Sequence, residues 1–271
     1  MDAVKIKETL DRGGMVFGCM ISAMGTIRFQ RALAGSTLDF VIIDCEHGSR
    51  DRKEIQELTT MFRAIDIAPL VRVPVPMAHY VAMAKDAGAA GVLVPYCEDL
   101  DEIRACVATG KYHPMKGEYL RRAVAEGKFP SPKTKEYLEN RNRGSIVIIG
   151  IESEPAFKNL DAILDIPLID AIFIGPNDMT TSLGIPDDWA NPKYLDVLKT
   201  VIRKSEAKGM PVMIHQSTME SSIRAIELGA RFVMHSSDVR LMVAAMQEQF
   251  AELRKVAGAR AVSARDTAET V

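Results

Sequence analysis

Three polar side chains crowd the end of one apolar run. In Asp39-Phe-Val-Ile-Ile-Asp-Cys-Glu-His-Gly48, the residues Asp44, Glu46 and His47 follow four apolar positions and precede a glycine. Carboxylates in an apolar setting cost several kcal/mol unless they are paired, protonated or bound to a cation. The mouth of a parallel sheet offers water and partners; the structural alternative is an acid bonded to the next loop and a histidine closing the turn. Arg72 ends a second run, Leu70-Val-Arg-Val73. Its planar fork suits an oxyanion or a carboxylate, and a structural ion pair is the other reading. Glu152 and Asp178 end two later runs. Two carboxylates, waters and a chelating substrate make an octahedral site for Mg²⁺ or Mn²⁺. Unneutralised neighbours would repel, so either a cation binds or one pKa rises. Alternatively Glu152 pairs with a lysine and Asp178 caps a helix over 179–182. His47 could be a metal ligand or a proton-transfer group, and Asp86 could orient it if the fold brings them together. Cation, arginine and histidine together describe a site that makes and stabilises an enolate.

Such residues need strands to deliver them. Strand patterns fall at 16–22, 39–48, 69–74, 92–95, 146–152, 171–178, 211–215 and 231–235, and helical periodicity at 4–11, 26–34, 52–64, 78–87, 100–108, 156–164, 194–208, 219–228 and 239–256. The runs are apolar without polar alternation, as in strands covered on both faces. Eight strands alternating with helices predict a closed (β/α)8 TIM barrel over an open sheet, and neither G-x-G-x-x-G nor a Walker-type loop is present. The barrel is expected to be a single domain over 1–256. Within it 111–143 loses periodicity, with prolines at 114, 130 and 132 and only 136–140 helical in character, and reads as a long insertion; 257–271 reads as a flexible tail. Catalytic groups in such barrels sit at the C-terminal ends of the strands. Those ends carry Glu46, His47, Arg72, Tyr96, Glu152, Asn177, Asp178, His215, His235 and Asp238.

With 47% hydrophobic and 26% charged residues in 271, the chain can build a sizeable core. A net charge of -2 leaves no footprint for nucleic acid or an anionic membrane, so small molecules are the expected partners. Cys19, Cys45, Cys97 and Cys106 have no C-x-x-C spacing and read as buried thiols of a reducing compartment. Neither a signal peptide nor a membrane span is discernible, and a cytoplasmic protein is expected.

Taken in order, Asp44-x-Glu46-His47, Val71-Arg72-Val73-Pro74, Gly91-Val-Leu-Val-Pro95, Ile151-Glu152 and Phe173-Ile-Gly-Pro-x-Asp178 make the chain resemble the HpcH/HpaI aldolase family from about 16 to about 238. The family is of metal-dependent, pyruvate-specific class II aldolases on a β/α barrel. The resemblance implies that Glu152 and Asp178 bind a divalent ion (Mg²⁺, Mn²⁺ or Co²⁺) chelated by the carboxylate and 2-oxo oxygens of pyruvate or a 4-hydroxy-2-oxo acid. It implies that Arg72 stabilises the enolate oxygen, with Pro176 and Asn177 against the substrate. It also implies that His47, assisted by Asp86 and a bound water, moves the proton on the hydroxyl whose loss breaks the C3–C4 bond, with Asp44 and Glu46 in support. A homo-oligomer, hexamer or trimer, with exchanged C-terminal helices is implied as well.

Departures accompany the matches. Gly150 stands where many members carry glutamine, and His113-Pro-Met-Lys-Gly-Glu-Tyr-Leu-Arg-Arg122 replaces the usual Pro-Pro-x-Gly-x-Arg-Gly loop. His215 and His235 occupy positions where small or apolar residues are expected, and either shape aldehyde selectivity or pack. Beside the aldolase reading, with oxaloacetate decarboxylation as a side activity, stand a related barrel acting on another 2-oxo acid or a CoA thioester, and a non-catalytic binding barrel.

Overall fold

The computed structural model describes residues 2–261. The β-branched runs form strands β1 (Val16–Ile21), β2 (Phe40–Asp44), β3 (Ala68–Arg72), β4 (Gly91–Val94), β5 (Ile146–Gly150), β6 (Ala171–Ile174), β7 (Val212–Gln216) and β8 (Phe232–Ser237). All pair in parallel with their sequence neighbours, and β1 pairs with β8, which closes the barrel. The (β/α)8 expectation is met. Closure and the surrounding helices bury most strand residues on both faces, Phe17 of β1 being exposed, which explains the missing polar alternation.

The twofold period of a strand decides what faces the barrel axis. Phe40 and Ile42 belong to the interior cluster, as do Ala68 and Leu70, Ile146 and Ile148, and Ala171 and Phe173. Their alternates Val41, Ile43, Val71, Val147 and Ile172 pack in the outer layer that includes the helices. Continuing each inward set by two residues reaches Asp44, Arg72, Glu152 (through Gly150) and Gly175. The site is thus the last layer of the barrel core, made polar. The opposite mouth is plugged by the helix Ala3–Asp11, whose Ile6 and Leu10 join the interior cluster.

Three boundaries differ from expectation. The stretch 111–143 is helical: Leu100–Tyr112 runs on past 108, and Gly117–Glu126 and Pro132–Asn142 follow. Pro132 starts a helix rather than breaking one, because at N1 it lacks only an N–H that has no partner there; Ser131 Oγ caps the turn by accepting from the Thr134 N–H at 3.1 Å. Both added helices are mostly exposed, burying only Ala123 in the first and Leu138 and Asn142 in the second. β6 stops at Ile174, and Pro176 opens the helix Pro176–Ser182, which puts Asp178 in a first turn instead of on a strand. Of the tail expected over 257–271, Gly258–Arg260 form a 3-10 turn and 262–271 lie outside the described residues. Among the described residues no helix is long and apolar enough to cross a membrane.

Asp238, read from the sequence as a strand-end candidate, is a clamp. Its carboxylate accepts from the backbone N–H groups of Ser22, Ala23 and Met24 and from Ser22 Oγ, at 2.6–3.3 Å. It ties the loop after β1 to the start of the last helix, and these bonds hold the carboxyl below the usual carboxylate range against the upward push of burial. Asp238→Ala strands several N–H groups and is expected to cost about 2 kcal/mol in urea unfolding, with Asp238→Asn recovering part of it.

Candidate active site

Across the β2–β3 ladder Asp44 lies opposite Arg72, and the register makes them partners. Arg72 Nε donates to Asp44 Oδ1 at 2.8 Å, and both residues are buried. Arg72 Nη1 lies 2.7 Å from Glu46 Oε2, a close charge contact without the alignment of a hydrogen bond. Burial alone would raise Asp44, yet the bond and charge of Arg72 bring it below its ordinary value. Burial likewise opposes the arginine's charge, and Asp44 and Glu46 together hold it more firmly protonated. Burial pushes Glu46 up, against the pull of Arg72 and His47. The structural reading of Arg72 as an ion pair is therefore realised, but only partly: Nη2 donates to the weak acceptor Met20 Sδ at 3.8 Å, which leaves donor capacity for a ligand.

Glu152 is 1% exposed. Its Oε2 accepts from the backbone N–H of Tyr96 at 2.6 Å, and its Oε1 is buried with no hydrogen-bond partner. The expected alternative, a lysine partner, is not realised. Two glycines make room for this carboxylate: a Cβ on Gly175 would come within 2.1 Å of Oε1, and one on Gly150 within 2.5 Å of Oε2. The glutamine of other sequences could not replace Gly150 here without displacing Glu152. Burial, with Glu46 and Asp178 adding to it, raises the Glu152 carboxyl to about 8, against the Tyr96 N–H and Arg72. An unpartnered, buried carboxyl oxygen beside a second acid is the chemistry of a cation site, where an ion would displace the proton, and the residues fit a divalent ion. Among the described residues no cluster of three or more histidine, cysteine or acidic side chains is poised for metal, so such an ion would take its remaining ligands from substrate and water. Asp178 is half-buried at the third position of its helix, whose N-cap is Gly175, so it is not the cap it could have been.

A cavity of about 180 Å³ opens at this mouth, lined by Asp44, His47, Arg72, Glu152, Pro176, Asn177, Asp178 and His215, and also by Met20, Ser22, Phe173, Gly175, Ser237 and Arg240. The second group was not singled out in the sequence. Ser22 and Arg240 could have been found by extending the strand-end rule to β1 and to the turn after β8; Met20 and Phe173 read only as core. His47 stands at the lip, largely exposed, with Nε2 3.8 Å from Glu46 Oε2. His215 Nε2 donates to the Ser236 carbonyl at 3.2 Å, and burial followed by the charge of Arg72 lowers it to about 4, so the ring is neutral near pH 7. His235 lies outside this cavity, bonded through Nδ1 to Ser222 Oγ at 2.8 Å. The stretch 111–143 contributes nothing to the lining.

Two expected pairings are corrected. Asp86 does not orient His47 within the chain: it ends the helix Ala78–Asp86, which runs back antiparallel to the strands, so it lies at the opposite mouth. There its Oδ1 is 2.9 Å from His113 Nε2. Asp44 and Glu46 brace Arg72 more than His47, because the strand period aims Asp44 at the axis where the guanidinium sits.

Over residues 26–245 the chain matches the family model described as HpcH/HpaI aldolase/citrate lyase. It is 30% identical over 254 residues to 2-keto-3-deoxy-L-rhamnonate aldolase of Escherichia coli O17:K52:H18 (strain UMN026 / ExPEC), covering 90% of this chain and 91% of that one. To hydroxypyruvate/pyruvate aldolase of Roseobacter denitrificans (strain ATCC 33942 / OCh 114) it is 28% identical over 243 residues, 88% of this chain and 92% of that one. The crystal structure of HpcH/HpaI aldolase from Desulfitobacterium hafniense DCB-2 superposes with a TM-score of 0.79 at 26% identity, covering 92% of this chain and 96% of that one.

The raised Glu152 pKa has a measurable consequence. Between the unfolded value of 4.5 and about 8 the folded protein holds a proton that the unfolded chain releases, so this group's stabilising contribution is complete below 4.5 and lost as pH rises towards 8. In EDTA, the melting temperature of Glu152→Gln relative to the parent is expected to climb from pH 5 to pH 8. A flat difference would mean that Glu152 is not raised.

Proposed function

The chain belongs to the HpcH/HpaI aldolase/citrate lyase family, and from that premise we propose that it is a metal-dependent class II aldolase, a carbon-carbon lyase that reversibly cleaves a 4-hydroxy-2-oxo acid to pyruvate and an aldehyde. The observation that carries this reading is the sharing of one cavity by the buried Arg72, with unused donors, and the unpartnered Oε1 of Glu152.

Glu152 and Asp178 would hold the ion, Mg²⁺, Mn²⁺ or Co²⁺, which when bound supplies Lewis-acid charge to the carboxylate and 2-oxo group of the substrate. Arg72 directs its free N–H groups at the 2-oxo oxygen, where negative charge grows as the C3–C4 bond breaks and its electrons form the enolate. Asp44 and Glu46 fix the guanidinium, so little reorganisation accompanies that growth. His47 at the lip accepts the proton of the C4 hydroxyl as the aldehyde leaves, and protonation at C3 then yields pyruvate. Pro176 and Asn177 close the cavity wall behind the substrate, and Phe173 keeps it apolar beneath. The four cysteines are free and buried, which supports a reducing, cytoplasmic setting.

Assembly belongs to the same reading. The helix Asp238–Ala257 buries none of its residues, and Met246, Phe250, Leu253 and Val256 are all exposed. Apolar surface of this extent on a 20-residue helix is covered when the helix packs on a second copy, as in a hexamer or trimer with exchanged C-terminal helices.

Pyruvate release from a panel of 4-hydroxy-2-oxo acids, read through lactate dehydrogenase, is expected to require Mg²⁺, Mn²⁺ or Co²⁺ and to vanish in EDTA; release that survives EDTA would sink the metal-dependent mechanism. Arg72→Lys keeps a cation for Asp44 and Glu46 but loses the planar fork, and should cost about 10²- to 10³-fold in kcat with an unchanged circular dichroism spectrum. Phe250→Glu should shift the particle mass in light scattering from oligomer towards monomer; an unchanged mass would place the interface elsewhere.

A further inference from the structure

A second cavity, of about 340 Å³, opens at the base of the barrel beside the start of the plugging helix Ala3–Asp11. Its walls come from the segments that lead into β3, β4 and β5, so the length of those strands separates it from the cavity at the C-terminal mouth. Three cations line it, one from each segment: Arg63 before β3, Lys85 before β4 and Arg141 before β5. Asp2 and Asp66 line it as well. Asp2 spends its Oδ1 as the cap of the plugging helix, accepting from the Lys5 N–H at 2.8 Å, and Asp66 is exposed on a left-handed turn with φ 59°. Among the described residues no ion pair joins either acid to the three cations.

Arg63 and Arg141 are exposed, and by themselves would mean nothing. Lys85 gives the cluster its significance. It is half-buried, and its Nζ donates to Ser145 Oγ at 2.9 Å, a neutral partner that passes its own proton to the Gly110 carbonyl at 2.9 Å. The charges around it are mostly of its own sign: Arg63, Lys111 and Arg141 oppose the ammonium form and Asp170 favours it. Asp170 is already held by Lys7, Lys111 and the Val147 N–H. Burial, followed by these like charges, lowers Lys85 to about 8. A lysine is seldom buried without an opposite charge, because the ammonium then loses water and gains nothing in return. Here the fold also brings a guanidinium closer, since Arg63 Nε donates at 2.7 Å to the carbonyl of Gly88, in the turn that follows Lys85. An ammonium and two planar forks around one cavity of small-ligand size suit an oxyanion with more than one negative charge.

We propose that Arg63, Lys85 and Arg141 form a binding site for a small multivalent oxyanion, a phosphate ester or a polycarboxylate, at the base of the barrel. The site depends neither on the metal nor on the aldolase reading. Its occupant supplies the negative charge that Lys85 lacks and ties together the segments before β3, β4 and β5.

The test is isothermal titration of the full chain, in EDTA at pH 7 and constant ionic strength, with glycerol 3-phosphate, citrate and, as a monovalent control, acetate. The parent is expected to bind one of the first two at a single saturable site, at least about 10-fold more tightly than acetate, and the tighter of the two identifies the anion. Arg72→Lys, altered at the other mouth, is expected to bind it equally well. Lys85→Met and Arg141→Gln are each expected to weaken binding about 10- to 100-fold, the worth of one charge-assisted hydrogen bond. Arg141→Gln changes an exposed side chain and keeps the test decisive even if Lys85→Met fails to fold. The assignment is overturned by the absence of saturable binding, by equal affinity for acetate, or by affinity unchanged in Arg141→Gln or in folded Lys85→Met. Loss of binding in Arg72→Lys would also overturn it, by placing the anion at the C-terminal mouth.

Discussion

The pairing of Arg72 with Asp44 is the constraint on which the site depends. Both are buried, and a buried charge stripped of its partner costs several kcal/mol, so neither can be placed before the other. The parallel register solves this by setting them across one rung of the β2–β3 ladder, where the inward phase of both strands is the same. Burial of the pair also fixes its geometry. With Nε and Nη1 occupied by carboxylates, the guanidinium cannot swing, and its remaining donors are presented to the cavity in one orientation. A lysine would satisfy the charge but not that geometry.

Charges at the two ends of the barrel are used differently. At the base, Lys7 and Lys111 converge on Asp170, and Arg231 binds Glu206 and the Leu10 carbonyl. These contacts are mutually satisfied and secure the plugging helix Ala3–Asp11 beneath the interior core. At the C-terminal mouth, satisfaction is left incomplete at selected buried atoms: Oε1 of Glu152 has no partner, and Nη2 of Arg72 has only the weak acceptor Met20 Sδ at 3.8 Å. Buried polar groups in folded proteins are almost always partnered, so unpartnered atoms gathered around one cavity mark where ligands complete the structure. The local cost is met by the well-packed layers below.

Much of the architecture was legible in the sequence because each strand is a short, largely apolar run between turn residues, and most core helices carry an apolar stripe. Arg72, Glu152, Asp178 and His47 were legible for the same reason: they are polar residues at the ends of such runs. Of the helices within 111–143 only the part over 136–140 was, since they lie on the outside of the barrel with few buried positions and begin at residues that ordinarily signal breaks. Arg240 was missed because it belongs by sequence to an amphipathic helix, where an arginine is unremarkable until the preceding strand and the Asp238 clamp turn it towards the mouth.

By itself the sequence determined the strand and helix order, hence the parallel barrel, and the set of residue types gathered at its C-terminal mouth, because these follow from local periodicity along the chain. Only the tertiary structure decided which charges pair. Asp86 sits within the same short stretch of chain as Arg72 yet meets His113 at the far mouth, whereas Asp44 meets Arg72 across a ladder rung 28 residues away in sequence. The reason is directional: strands and helices alternate in polarity around the barrel, so sequence proximity sends groups to opposite ends, and strand register brings distant ones together.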